Sequence, residues 1–286
     1  MPPIAQYVFN GIVTGGILAL PSVAFSLLWR LLRFPNFAVG TYLTVGAYAA
    51  LVFNAGAHVP LAVAWLGALA ATGAVALAVD RIAFRPMRER RPFSLAIASI
   101  GVAFVLENLV RFVWGNDFRA YDLPVTRAAV VAGLRIGREQ LLILGVAVVL
   151  MLLAQAFLLR TRLGVAMRAT ADNPLLATVK GVPTERVIAV ATFGGGALAG
   201  GAGVFLGLDA SIDPLMGGGL IISVFAAAIL GGVGSAPGAL AGALIVGVVE
   251  EAGTLLVPPT YKTAIGFVII LTVLLVRPSG LAGSRS

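Results

Sequence analysis

Side chains able to do covalent chemistry are few in this chain. His58 is the single histidine and there is no cysteine. A Cys–His nucleophile pair is therefore excluded, and so is a metal site built from several His or Cys ligands. No metal and no cofactor is expected. Ser235 lies in GVGSAPG, which does not fit the G-x-S-x-G elbow of serine hydrolases. The stretch Gly231-Gly232-Val233-Gly234-Ser235-Ala236-Pro237-Gly238 has the glycine density of a phosphate loop. It lacks the Lys-Ser/Thr pair that reaches phosphate and Mg²⁺, so the chain should not bind nucleotide. An enzyme is not expected, and uphill work would draw its energy from a partner or an ion gradient.

Charged residues inside apolar runs are the next candidates. Glu107 and Arg111 stand four apart, one helical turn on the same face. An ionisable group within a membrane helix is a site hypothesis, and an internal ion pair near the interface is the other reading. Asp209 and Asp213 share the same spacing at the end of an apolar run and are expected to be structural. Glu250, Glu251 and Lys262 flank a turn and are expected to be solvated.

The most structured polar stretch is 160–187, RTRLGVAMRATADNPLLATVKGVPTERV. Asn173 suits a helix N-cap and Pro174 the first helical position, where its missing N–H has no partner to lose. Gly181 can take the left-handed conformation at the C-terminal end, and Pro183 stops continuation. These residues predict a compact, basic loop holding a short capped helix.

The elements around it follow from composition. Hydrophobic residues make up 59% of the 286 and charged residues 11%, and mean hydropathy is +1.02. Most of the chain has no polar face for water, which points to an all-α, polytopic transmembrane helical bundle forming one domain, 1–286. Met1-Pro2-Pro3 lacks the positive leader of a signal peptide, so the first run is expected to be a retained span. Apolar runs at 4–28, 37–53, 61–79, 93–114, 141–159, 187–208 and 260–276 read as spans, with shorter pieces at 220–230 and 240–249. The total is eight or nine, with discontinuous helices. The polar connection 116–138 is long enough for a short strand or interfacial segment. Glycine, at 35 residues, exceeds the ordinary ~7%. Gly196/Gly200, Gly203/Gly207 and Gly238/Gly242 have the spacing of close helix packing. Unwound backbone lining a solute path is the second reading of the glycine break.

The net charge of +8 comes from basic residues gathered in short loops, with no aromatic-interleaved basic groove, so no nucleic-acid partner is expected. With the N-terminus outside, Arg30 and Arg33, Arg81 to Arg91, Arg160 to Arg186, and Arg277 and Arg285 fall inside. Arg111, Arg119, Arg127, Arg135, Arg138 and Lys262 fall outside. Termini on opposite sides require an odd number of crossings.

Several motifs carry a resemblance along nearly the whole chain. Phe34-Pro35-Asn36-Phe37-Ala38 with Gly46-Ala47-Tyr48, Arg85-Pro86, and Ser99-Ile100-Gly101 are three of them. Gly164 to Pro174 with Gly181, the glycine stretch 231–238, and Arg277-Pro278-Ser279-Gly280-Leu281 complete the set. Together they resemble the LivH-type permease subunits of branched-chain amino-acid ABC transporters. The resemblance implies a multi-pass subunit of the bacterial cytoplasmic (inner) membrane. Its implied partners are cytoplasmic ABC ATPase subunits, a second related permease, a periplasmic or extracytoplasmic solute-binding protein, and an amino-acid solute. It makes 160–186 the cytoplasmic coupling loop, with Arg168, Ala169, Asp172, Asn173, Ala177 and Gly181 at the ATPase. It sets Asn36, Gly40, Gly231, Gly234 and Gly238 along the translocation path. Where the family often has a polar or acidic pair, this chain has Val39-Gly40-Thr41, which leaves another amino acid, an amide or urea open as the solute. A self-contained secondary carrier or channel for small polar solutes is the competing expectation, and a structural scaffold a third.

Overall fold

A helix apolar on every side must bury its surface against other helices or in lipid. The computed structural model describes residues 4–88, 90–123, 129–131, 133–277 and 280–282. Met1 to Pro3, Arg127, Pro278, Ser279 and Arg285, named above, lie outside that range. The helices are α1 (Ile4–Leu32), α2 (Ala38–Leu51), α3 (Leu61–Val79), α4 (Pro92–Trp114), α5 (Arg138–Arg160), α6 (Arg162–Asp172) and α7 (Pro174–Val179). They continue as α8 (Thr184–Asp209), α9 (Met216–Gly231), α10 (Ala236–Gly253) and α11 (Lys262–Val276). π-Turns carry α2 on to Gly56 and α3 on to Phe84. Two short strands, β1 (Ala129–Val131) and β2 (Leu134–Ile136), form an antiparallel hairpin in the polar connection before α5. The chain is the all-α polytopic bundle that its composition predicts.

Among the described residues, eight helical runs are long and apolar enough to cross a membrane, and α9 is a shorter ninth. Hydrogen bonds decide how they add up. Near the start of α1, Gln6 exchanges two bonds with the Arg135 backbone of the hairpin, at 2.8 and 3.0 Å. At the far end of α1, Arg30 donates to the Gly234 carbonyl at 3.3 Å. The N–H groups of Leu281 and Ala282 donate to the carbonyls of Leu230 and Gly231, beside that same turn. The two termini of the described chain therefore lie at opposite ends of the bundle. Eight long passes would return the chain to its starting end, so α9 is a pass in its own right.

The core is α1, α2 and α8, with α3, α9 and α10 packed around them, and α4, α5 and α11 at the rim. Rim side chains such as Phe112 (88% exposed) and Leu275 (82% exposed) face outward, which is stable only against lipid or another chain. Within the core, backbones come into contact. Gly46 of α2 lies on the backbone of Gly200 of α8, and Gly203 lies on the carbonyl of Leu43. Phe225 of α9 stacks on Phe25 of α1, with ring centres 4.3 Å apart, and takes the edge of Phe37 at 4.8 Å.

Three elements differ from the sequence reading. α9 and α10 extend beyond the pieces at 220–230 and 240–249, because Gly217 to Gly219 and Ala236-Pro237-Gly238 are helical. Ser235 caps α10 by accepting from the Gly238 N–H at 3.1 Å, and Pro237 sits in its first turn. The basic loop holds a second helix, α6, capped by the Thr161 hydroxyl on the Gly164 N–H at 3.0 Å.

Replacing Gly46 by leucine pushes atoms into backbone that cannot yield, a cost of about 3 kcal/mol, the upper end for overpacking. The Gly46→Leu protein should lose thermal stability in detergent or fail to accumulate. Gly145→Ala, at a helical position with open space, should be neutral or stabilising by about 0.5–1 kcal/mol.

Candidate functional site

Two helices begin inside the bundle. The first N–H groups of a helix have no intrahelical partner, and in a hydrocarbon layer they need one from elsewhere. α2 starts beside Ser99, seven residues into α4 and so about 10 Å from that helix's first turn. Asn36, 2% exposed, accepts from the Ala38 N–H at 3.0 Å. Ser99 accepts from the Phe37 N–H at 3.0 Å while donating to the Ala96 carbonyl. This accounts for the Asn-Phe-Ala motif and the serine of Ser99-Ile100-Gly101: together they close the buried start of α2. α9 begins likewise, its Gly217 N–H donating to Thr44 of α2 at 3.1 Å. Gly40 lies between, against the Gly217 carbonyl and Ile221. Asp213 caps the approach to α9 by accepting from Leu215 at 2.8 Å, and the Arg119–Ile212 backbone bridge holds that approach to the outer loop.

The opposite, basic end carries the loop between α5 and α8. The Asn173 side chain accepts from the Leu176 N–H at 2.9 Å, Pro174 opens α7, and Gly181 closes it at φ +82°. Ala177 is buried under this helix, while Leu175, Leu176 and Val179 point outward. Arg168 of α6 donates to the Leu158 carbonyl of α5, and Ala169 is exposed. Asp172 pairs with Arg30 of α1 at 2.9 Å, and Arg33, at φ +59°, donates to the Ala171 carbonyl at 3.4 Å. A second ionic cluster ties α3 to α8: Arg88 meets buried Asp80 at 2.5 Å and Glu185 at 2.7 Å, and Arg85 meets Glu185 at 3.0 Å.

The glycine turn 231–238 belongs to this basic end. Gly231 and Gly238 lie on each other's backbone, and Gly234, at φ +90°, lies on the Arg30 side chain. The Gly234 N–H donates to Ser26 at 2.7 Å. A cavity of about 210 Å³ separates the turn from α5 and α6, with Arg30, Arg168 and Ser235 on its wall. The structure thus brings Gly234 together with Asp172 through Arg30. Asn36 and Gly40 lie apart from that group, at the buried junction of α2 and α9.

One expectation about charge is corrected. Glu250 is 2% exposed, not solvated; it turns into the bundle, accepts from Ser223 of α9 at 2.7 Å and lies against Gly266 of α11. Glu251, one residue on, points to the outer turn and pairs with Lys262. Glu107 and Arg111 are 3.7 Å apart on α4.

Comparison with known proteins places this geometry in a family. The model of a family described as the permease component of branched-chain amino acid transport systems matches residues 7–274. The chain is 31% identical over 294 residues to the high-affinity branched-chain amino acid transport system permease protein LivH of Salmonella typhimurium, covering 97% of this chain and 95% of that one. It is 32% identical over 300 residues to the corresponding protein BraD of Pseudomonas aeruginosa, covering 99% and 98%. A probable LivH of Methanocaldococcus jannaschii is 30% identical over 293 residues, covering 96% and 91%. A solved structure, PsaBC from Streptococcus pneumoniae in complex with Fab, aligns with a TM-score of 0.53 at 14% identity, over 96% of this chain and 92% of that one, a likeness of fold alone. With its multi-pass bundle and full-length matches, the chain belongs to the branched-chain amino acid transport permease family.

Proposed function

We propose that this chain is the transmembrane permease subunit of an ABC importer for branched-chain or related amino acids in the bacterial cytoplasmic membrane. Separate cytoplasmic ATPase subunits drive it, a second related permease completes the membrane pore, and an extracytoplasmic solute-binding protein delivers the solute. The observation that carries this reading is α7. A six-residue helix capped at both ends presents Leu175, Leu176 and Val179 to water at the basic end of the bundle, the end expected to face the cytoplasm. Exposed apolar side chains on a rigid element outside the membrane call for a protein groove, which the ATPase provides.

Contacts at the same end support a route by which a push on α7 reaches the pore. Asp172 joins α6 to α7 and holds Arg30, which also holds the Gly234 carbonyl. Movement of the two short helices as one body therefore pulls on the end of α1 and on the turn between α9 and α10. A bundle with two discrete packings, outward-open and inward-open, converts that pull into alternating access. In this reading Arg168, Ala169, Asp172, Asn173, Ala177 and Gly181 build the coupling element. Asn36 and Gly40 brace the buried start of α2 beside the path, and Gly231, Gly234 and Gly238 form the turn that shifts with Arg30.

Purification of the tagged protein from native membranes in mild detergent tests the assignment. ATP-binding subunits and a second permease should co-purify. A lone chain that moves amino acids in liposomes overturns the importer and establishes the carrier. Gly181→Val forces a β-branched residue into left-handed backbone; transport should fall while the subunit stays in the membrane. Asp172→Asn breaks an exposed ion pair worth under about 1 kcal/mol, so melting should hardly change. Solute moved per ATP hydrolysed should drop, and the Arg30→Asp/Asp172→Arg pair should recover part of it.

A further inference from the structure

We infer that Glu107 and Arg111 of α4 form a subsite for the zwitterionic head of an amino acid, Glu107 receiving the α-ammonium and Arg111 the α-carboxylate. The inference rests on the amino-acid import reading and adds the residues that contact the solute.

Both residues lie within a membrane pass, Glu107 seven residues before the end of α4, or about 10 Å deep. Charges at that depth are costly unless paired and fully hydrogen-bonded. These two are paired, but no hydrogen bond joins them. Their 3.7 Å separation exceeds hydrogen-bond reach, whereas the pairs Arg88–Asp80, Arg88–Glu185, Arg30–Asp172 and Arg85–Glu185 all close within 3.0 Å. The Arg111 Nε is buried and has no acceptor. An ion pair serving only to neutralise itself would collapse to contact, since the i, i+4 spacing permits it. The Arg88 Nε also lacks an acceptor, so the distinguishing feature is the slack itself: the part-exposed carboxylate and guanidinium are not hydrogen-bonded to each other and keep capacity for a third group.

The surroundings provide room. The Glu107 carboxylate lies 3.6 Å from the position a side chain on Gly218 would start from, and a side chain on Gly219 would meet nothing. The first turn of α9 therefore offers the bare backbone of Gly218 beside the Glu107 carboxylate. Both side chains are part-exposed on the same open face, 15% and 34%. A zwitterion carries one charge of each sign on adjacent atoms. Bound here, it exchanges one ion pair for two without adding net charge, and the guanidinium fork can hold a carboxylate by two parallel bonds. A solute with only one of the charges leaves the other residue unpaired at depth, which is the basis for rejecting plain amines and plain acids.

The test uses the whole complex, with both permeases, ATPases and binding protein, in proteoliposomes supplied with leucine. Uptake and ATP hydrolysis are followed against the concentration of loaded binding protein. For Glu107→Gln the complex should assemble, and half-saturation by binding protein should be unchanged. Maximal uptake should fall about tenfold or more, the scale of one charge-assisted hydrogen bond, while ATP is still hydrolysed. The swapped variant Glu107→Arg/Arg111→Glu keeps an ion pair but reverses it, and uptake should remain low. Wild-type uptake in Glu107→Gln or in the swap overturns the subsite, the latter marking the pair as an internal brace. Loss of the second permease from both variants overturns it in favour of a subunit contact. If the swap alone fails to assemble, Arg111→Lys keeps the charge without the fork; uptake lowered about fivefold supports the subsite, and unchanged uptake overturns it. A wild-type complex that takes up no leucine, alanine or other amino acid would overturn the import reading itself, before any variant is compared.

Discussion

An amide N–H stripped of water in a hydrocarbon layer costs several kcal/mol if it lacks an acceptor, and α2 and α9 both present such groups within the bundle. Asn36, Ser99 and Thr44 supply the acceptors. Without them the two helices could not start where they do, and α2 would slide toward the basic end until water reached its first turn. The positions of Phe37 against Phe225 and of Gly40 against Gly217 depend on that start. So does the close seating of α2 on α8 at Gly46 and Gly203. The interior of the permease is therefore organised by a few side-chain acceptors, and apolar packing follows the frame they set.

The basic end obeys a different rule. Apart from buried Asp80 and part-buried Arg88, its paired charges are exposed and individually weak, but they are arranged as links. Arg30 alone touches α6, α1 and the α9–α10 turn, while Arg88 gathers the ends of α3 and α8. On the proposed coupling role, links of modest strength suit a region re-formed in each cycle, whereas the glycine contacts of the core suit one that keeps its neighbours.

What could be read from the residues follows the range over which each acts. Asn173, Pro174 and Gly181 act within a few positions of themselves, so α7 and its caps were visible in the one-dimensional pattern. Continuous apolar runs showed the long passes for the same reason. Glu250 was misjudged because its neighbours in sequence, Glu251 and a nearby lysine, suggest water. One helical step turns a side chain by about 100°, enough to send Glu250 to Ser223 and Glu251 to Lys262. Nor does any spacing reveal that Asp80 would find Arg88 and Glu185, since their meeting depends on how α3 packs on α8. α9 is ambiguous in the sequence because the run 220–230 is short for a pass and the glycines before it lie outside that run, when the fold makes them helical and uses Gly217 to bring backbone against α2. The roles proposed for the coupling and path residues depend on partner subunits, so no spacing within one chain encodes them.

The carbonyls at the end of α9 find their donors in Leu281 and Ala282, on the far side of α10 and α11. During synthesis α9 therefore emerges from the ribosome well before the residues that finish its last turn. Until they arrive, those carbonyls must stay in water at the membrane surface. The turn carrying Gly231 and Gly234 is thus among the last parts of the molecule to close, and maturation of the subunit ends at the place where Arg30 later takes hold.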